Sequence, residues 1–226
     1  MNYRKFLVIG FLVLSSVAAR AGGEVIGDSL GVGVGWASKL PSRAKISVSI
    51  QSGSILEQLR QAQRGDTVFM SLGTNDAVGG AVNVKSKVDA IVKTADELGV
   101  KLVWIGPPCV FKSWEAQSEK LDENLREQLA GTSVTYVSMH SDGLCSDRSV
   151  RAPDGVHFSM TGYDRMWRRA KDAAQAAGAT GFETAAAEVA APTVPHHVHK
   201  KLKHASTRRQ KSNFMAQRSQ PNKAAN

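Results

Sequence analysis

Apolar runs alternating with amphipathic stretches predict an α/β protein: a five-stranded parallel sheet with helices on both faces, in a three-layer α/β/α sandwich. Two observations carry this. Residues 67–72 form a largely apolar run broken by no charge, and residues 100–105 are apolar apart from Lys101, as strands buried on both faces require. Between them Val84, Val88, Ile91 and Ala95 recur at helical spacing. With 226 residues, 42% of them apolar, the chain is long enough for one such domain with a full core and is not wholly disordered.

Taken in order, Val25-Ile26 is a short buried strand that breaks into Gly27-Asp28-Ser29-Leu30 and a glycine-rich turn, Gly31 to Gly35. A short helix over 34–40 is closed by Pro41. Residues 44–50 alternate polar and apolar side chains with period two and predict a second strand. Ser52-Gly53-Ser54 is a turn, with Ser54 placed to cap a helix over 55–62. The strand at 67–72 ends in the loop Gly73-Thr74-Asn75-Asp76. A long helix over 82–98 stops at Gly99, the strand at 100–105 stops at Gly106-Pro107-Pro108, and a helix over 115–130 leads to a last strand at 134–137. The loop from 138 to 158 is long for a compact domain, which usually marks function. Ser159 then caps a final helix to about residue 177. The loops following the strands gather at the C-terminal edge of the sheet, where open α/β folds keep their sites.

The formal charge of +9 suggests a nucleic-acid binder, but its distribution argues against one. Residues 21–195 hold 18 Lys and Arg against 20 Asp and Glu; the excess sits at the two ends. At the N-terminus, Arg4-Lys5, an apolar run over 6–17 and the small-residue triplets Ala19-Arg20-Ala21 or Val17-Ala18-Ala19 have the layout of a signal peptide over 1–21. The alternative is an uncleaved anchor, for which the run is short. Export is therefore expected, to the periplasm or the medium. The folded domain is expected over 22–178. Residues 179–226 are an Ala/Thr/Pro stretch followed by a His-, Lys- and Arg-rich tail that cannot bury enough surface to fold alone. That tail suits contact with anionic cell-envelope polymers or lipid; its single aromatic residue beyond 195, Phe214, gives no base-stacking pattern. Cys109 and Cys145, an even pair in an exported chain, favour a disulfide over two buried thiols, and their spacing is not that of a zinc site.

Three groups of residues carry chemistry. Ser29 stands where a strand breaks into a helix, so its hydroxyl lies at the sheet edge and its N–H near a helix start. Asp154-Gly155-Val156-His157 places a carboxylate three residues before a histidine, close enough to hold one ring nitrogen and leave the other as a general base. Gly53 offers an unshielded N–H and Asn75 a neutral amide; with the N–H of Ser29 they make three donors for one developing oxyanion. Taken singly, Gly53 reads better as a plain turn glycine and Asn75 as a loop cap. The run Gly31-x-Gly33-x-Gly35 lacks the spacing of a dinucleotide loop, and no acid ends the second predicted strand.

Gly27-Asp28-Ser29-Leu30, Gly53, Gly73-Thr74-Asn75-Asp76 and Asp154-Gly155-Val156-His157, in that order, resemble the blocks of the SGNH hydrolases, or GDSL esterase/lipase family. The resemblance spans residues 24–178 and implies a flavodoxin-like fold and ester hydrolysis through an acyl-serine without a cofactor or metal. By matching position Ser29 is nucleophile, His157 base, Asp154 its orienter, and Ser29, Gly53 and Asn75 the oxyanion donors; Asp28 and Asp76 read as loop-stabilising carboxylates. The expected substrate is a small acyl ester, foremost an O-acetylated carbohydrate. The alternatives are a thioesterase or lysophospholipase, an acyltransferase, and a non-catalytic carbohydrate-binding module of the same fold.

Overall fold

In the computed structural model, residues 22–183 are described. Four strands, β1 (Gly23–Gly27), β2 (Thr67–Ser71), β3 (Lys101–Pro108) and β4 (Thr135–Met139), form one parallel sheet in the order β1-β2-β3-β4. All five residues of β1 and of β2 are buried, as their apolar runs require. Side chains alternate between two cores. Val68 and Met70 point into one and Phe69 into the other.

The first core is roofed by α2 (Ser54–Leu59), α4 (Lys85–Leu98) and α5 (Glu115–Leu129), through Ile55 and Leu59, Val88, Ile91 and Ala95, and Leu121, Leu125 and Leu129. The second lies under α1 (Ser29–Ser38) and α7 (Met160–Ala176), through Leu30, Val34, Tyr163, Met166, Ala170 and Ala174. In each longer helix the apolar residues fall three or four apart, so one stripe faces the sheet. Two short helices, α3 (Thr74–Val78) and α6 (Asp142–Cys145), lie in loops beyond β2 and β4. Ser159 caps α7 by accepting from Gly162 N, and Gly99 closes α4 at φ 70°.

The predicted strand over 44–50 does not form. Pro41 O accepts from Val25 N at 2.9 Å, Arg43 N donates to Val25 O at 2.9 Å and Lys45 N to Gly27 O at 3.0 Å. This segment therefore runs along the free edge of β1, opposite β2, with one parallel bridge between Val25 and Ser42. The chain then turns at Ile46-Ser47, where Ser47 has φ 63°. Beyond the turn the backbone N–H groups go elsewhere: Ser49 N to Ser52 Oγ, Ile50 N and Gln51 N to the Asp76 carboxylate. Local side-chain acceptors outcompete the ladder. Val48 and Ile50 are still buried, so the alternation was real, but it drives a packed loop instead of a strand.

The chain leaves β1 toward this edge segment and returns to β2 on the other side. The C-terminal end of β1 is thus the point where the order reverses, the usual ligand crevice of an open parallel sheet. Two glycines fix the backbone there. Gly27 has φ 118°, and a Cβ on it would sit 1.9 Å from Ser71 O. Gly33, expected in a turn, lies inside α1, where a Cβ would meet the Tyr163 ring at 2.2 Å; this glycine lets α1 pack closely on α7.

The packed body extends past the boundary drawn at residue 178. Ala179 and Phe182 are buried, and the Phe182 ring makes edge contacts with Phe69 at 5.2 Å and Trp167 at 6.3 Å. A lone phenylalanine in an Ala- and Thr-rich stretch carries no periodicity from which to read this. The expected signal peptide, 1–21, and the basic tail beyond 183 lie outside the described residues. No helix among the described residues is long and apolar enough to cross a membrane.

Candidate active site

The turn from β1 into α1 is built on Asp28. Its Oδ1 accepts from Leu30 N at 2.9 Å and Gly31 N at 3.3 Å, capping α1. Asp28 is fully buried, and that burial pushes its carboxyl up to about 7 despite these bonds and the Ser71 hydroxyl; the Asp76 charge adds to the rise. From the other side Gln58 holds Gly27, its Oε1 accepting from Gly27 N at 2.7 Å. The next residue, Ser29, is the first of α1 and half-buried.

His157 reaches this serine across 128 positions of sequence. Its Nε2 lies 2.9 Å from Ser29 Oγ, and its Nδ1 lies 2.6 Å from Asp154 Oδ2. An ionised carboxylate accepts only, so Nδ1 carries the proton and Nε2 faces the serine hydroxyl as an acceptor. Asp154 Oδ1 accepts from Val156 N and His157 N, each at 2.9 Å. Partial desolvation works to raise the Asp154 carboxyl, but the His157 ring and these two N–H groups outweigh it and hold it down at about 2. Both side chains are substantially exposed, 39% for His157 and 50% for Asp154, so the site opens to solvent.

Gly53 and Asn75 stand in the loops that follow β1 and β2. Asn75 lies in α3, directly after β2, and spends one amide hydrogen on Val48 O at 2.8 Å, which fixes its orientation and leaves the second. Asp76 beside it accepts from Ile50 N at 2.8 Å and Gln51 N at 3.2 Å. These bonds stitch α3 to the loop carrying Gly53. Gly53 immediately precedes α2 at its N-cap, is exposed, and has no atom beyond its chain neighbours within 4 Å of where a Cβ would stand. Asp28 and Asp76 thus both organise loops.

Arg151 gave no sequence signal, yet it ties three loops together. Its guanidinium donates to Cys109 O, to Leu144 O at 3.2 Å and to Val156 O at 3.3 Å, and stacks 3.9 Å over the Phe158 ring. Burial lowers its pKa to about 10, so it stays charged at neutral pH. Cys109 and Cys145 are joined by a disulfide with 5.5 Å between their Cα atoms. Phe111 N donates to Gly155 O at 2.8 Å, so the disulfide loop is bonded directly to the Asp154–His157 turn. A cleft of about 550 Å³ near the end of β4 is lined by His140, Arg165 and Arg169 and includes neither Ser29 nor His157. Among the described residues no group of three His, Cys, Asp or Glu side chains could hold a metal ion.

A profile of the GDSL-like lipase/acylhydrolase family matches residues 17–165. The chain belongs to that family. Its members hydrolyse esters, and the α/β fold with a parallel sheet is theirs. Among solved structures, this family member is similar to a member of the lipolytic protein G-D-S-L family from Veillonella parvula, with 15% identity, TM-score 0.55, and coverage of 67% of this chain and 97% of that one. It is also similar to the psychrotrophic esterase EstA from Pseudoalteromonas, with 13% identity, TM-score 0.52, and coverage of 69% and 97%. A third likeness is to an extracellular lipase from Streptomyces rimosus, with 17% identity, TM-score 0.50, and coverage of 71% and 100%. At such identities these likenesses speak for the fold alone. No curated protein matches the sequence.

Proposed function

We propose that this GDSL-family hydrolase is an exported serine esterase acting on short-chain acyl esters, O-acetyl groups on carbohydrate foremost. One observation carries the reading: Ser29 Oγ, the His157 ring and Asp154 form one hydrogen-bonded chain with links of 2.9 and 2.6 Å. As Ser29 Oγ attacks the ester carbonyl, its proton passes to His157 Nε2 and the imidazolium is stabilised by Asp154. The carbonyl oxygen gains the negative charge and is held by the N–H groups of Ser29 and Gly53 and the free amide hydrogen of Asn75. Collapse expels the alcohol, which takes the proton from Nε2. Water then repeats the sequence on the acyl-serine, releasing the carboxylic acid and restoring Ser29.

The open setting of the site supports a small acyl group on a bulky alcohol. Gly53 is exposed, and the acid–base pair is reached from solvent. A second reading, hydrolysis of longer acyl chains, is supported by exposed Val78 and Met160, each three residues beyond Asn75 and His157. Export is supported by the N-terminal pattern and by the disulfide, which persists in oxidising compartments. Assays on p-nitrophenyl acetate, butyrate and octanoate separate the two substrate readings: activity falling with chain length favours the acetyl esterase, and activity rising with it favours the lipid hydrolase.

A further inference from the structure

Beside the Asp154–His157 turn lies a second cleft, of about 360 Å³, lined by Phe111, Lys112, Arg148, Arg151, Asp154 and neighbouring backbone. We infer that it binds an anionic group, a carboxylate, sulfate or phosphate, on the alcohol portion of the ester substrate. This inference rests on the proposed esterase reading.

The first argument is charge. Three cations line one wall in a body whose net charge is slightly negative. Neither Lys112 nor Arg148 pairs with a carboxylate among the described residues. The one carboxylate on the wall, Asp154, is committed to the His157 ring and two backbone N–H groups. Asp147, next to Arg148 in sequence, is paired with Arg165 at 2.8 Å. The wall is left with uncompensated positive charge.

The second argument is preorganisation. The Arg148 guanidinium lies 4.5 Å from the Phe111 ring centroid, and that of Arg151 lies 5.3 Å from it. The ring face attracts and orients both cations without consuming their N–H donors. Phe111 is itself fixed by its N–H to Gly155 O. Arg148 thus presents a planar fork of donors, the geometry that matches a carboxylate or phosphate.

The third argument is position. In the acyl-transfer step the leaving alcohol takes its proton from His157 Nε2, so it departs on the histidine side of Ser29. Asp154 stands within about 8 Å of Ser29 Oγ, two hydrogen bonds and one imidazole ring away. The inference assigns the anionic end of the alcohol to this side, in the loops after β3 and β4, whereas the oxyanion donors Gly53 and Asn75 come from the loops after β1 and β2.

The test uses a matched pair: 4-acetoxybenzoate, whose leaving group is anionic, and its neutral methyl ester. The ratio of their kcat/KM values is compared in wild type, in Lys112→Ala/Arg148→Ala and in the charge-preserving Lys112→Arg/Arg148→Lys. The expected result is a ratio about 10- to 100-fold lower in the alanine double variant, carried by KM for the anionic ester, with the ratio only partly retained in the charge-preserving variant, which keeps the charge but loses the Arg148 fork, and eroded by salt. Equal ratios in wild type and alanine variant overturn the inference. Ser29→Ala tests the esterase reading separately, since it abolishes turnover of both esters. If wild type hydrolyses neither ester, binding of 4-hydroxybenzoate followed by NMR decides: at least tenfold weaker binding in the alanine variant upholds the anion site, and equal or absent binding refutes it.

Discussion

Asp154 is the residue whose chemistry can be tested without disturbing its surroundings. Asparagine retains an oxygen for Val156 N and His157 N but presents an amide to Nδ1, favouring the wrong tautomer of His157. Asp154→Asn should lower kcat by about 10³–10⁴ in a protein that still folds, with a modest loss of stability above pH 3.8. Removing the Asn75 amide should cost about 10²–10³ in kcat, with KM nearly constant, because the bond forms as the oxyanion develops. Two carboxylates act on stability with opposite signs. Asp154 is held at about 2, below its ordinary 3.8, so its contribution is complete above 3.8 and lost as pH falls toward 2. Asp28 is raised to about 7, so the folded state binds its proton more tightly and stability falls as pH rises from 3.8 to 7. Asp28→Asn should flatten that slope in urea midpoints measured across the interval; an unaltered slope would show the carboxyl to be ionised throughout. The Ser29, Asp154 and His157 constellation was readable in the sequence because short motifs mark it. Arg151 was not: its partners are carbonyls of distant loops, and a lone arginine in a loop carries no pattern.

At the scale of elements, the long segment between β4 and α7 is organised less by secondary structure than by cross-links. The disulfide, Arg151 and the Phe111–Gly155 bond together hold the Asp154–His157 turn against the loop after β3. The bridge closes a 36-residue separation, so Cys109→Ser/Cys145→Ser should cost about 3–4 kcal/mol in the chain-entropy account, measurable by urea unfolding. It should also lower kcat, because the turn carrying His157 loses its brace; loss of stability with full kcat would show the brace to be unneeded. The strands and long helices were legible because their periodicity is strong over many residues. The stretch 44–50 misled because two buried side chains, Val48 and Ile50, suffice to mimic a strand. What decides there is the destination of the backbone N–H groups, and that depends on Asp76, 25 and 26 residues away.

For the whole molecule, two cores on one sheet place the chemistry at a single edge, and the second core is completed by a residue from beyond the last helix. Phe182→Ala should destabilise by about 3–5 kcal/mol, since its ring is wholly buried against Phe69 and Trp167. A loss under 1 kcal/mol would mean that the segment does not belong to the core. The excess positive charge of the chain lies outside this body, in segments we propose to serve export and attachment to anionic envelope polymers. Loss of salt-sensitive binding to anionic polysaccharide or lipid on deleting 196–226 is the expected outcome; unchanged binding would refute the attachment.

The central claim is that Ser29 is the nucleophile of an esterase, and the most direct measurement compares purified wild type with Ser29→Ala on p-nitrophenyl acetate near neutral pH. The account predicts turnover by the wild type, with release of one p-nitrophenol per active site in an initial burst where deacylation is slow, and no turnover above background by the variant. Equal activity in the two proteins would contradict it.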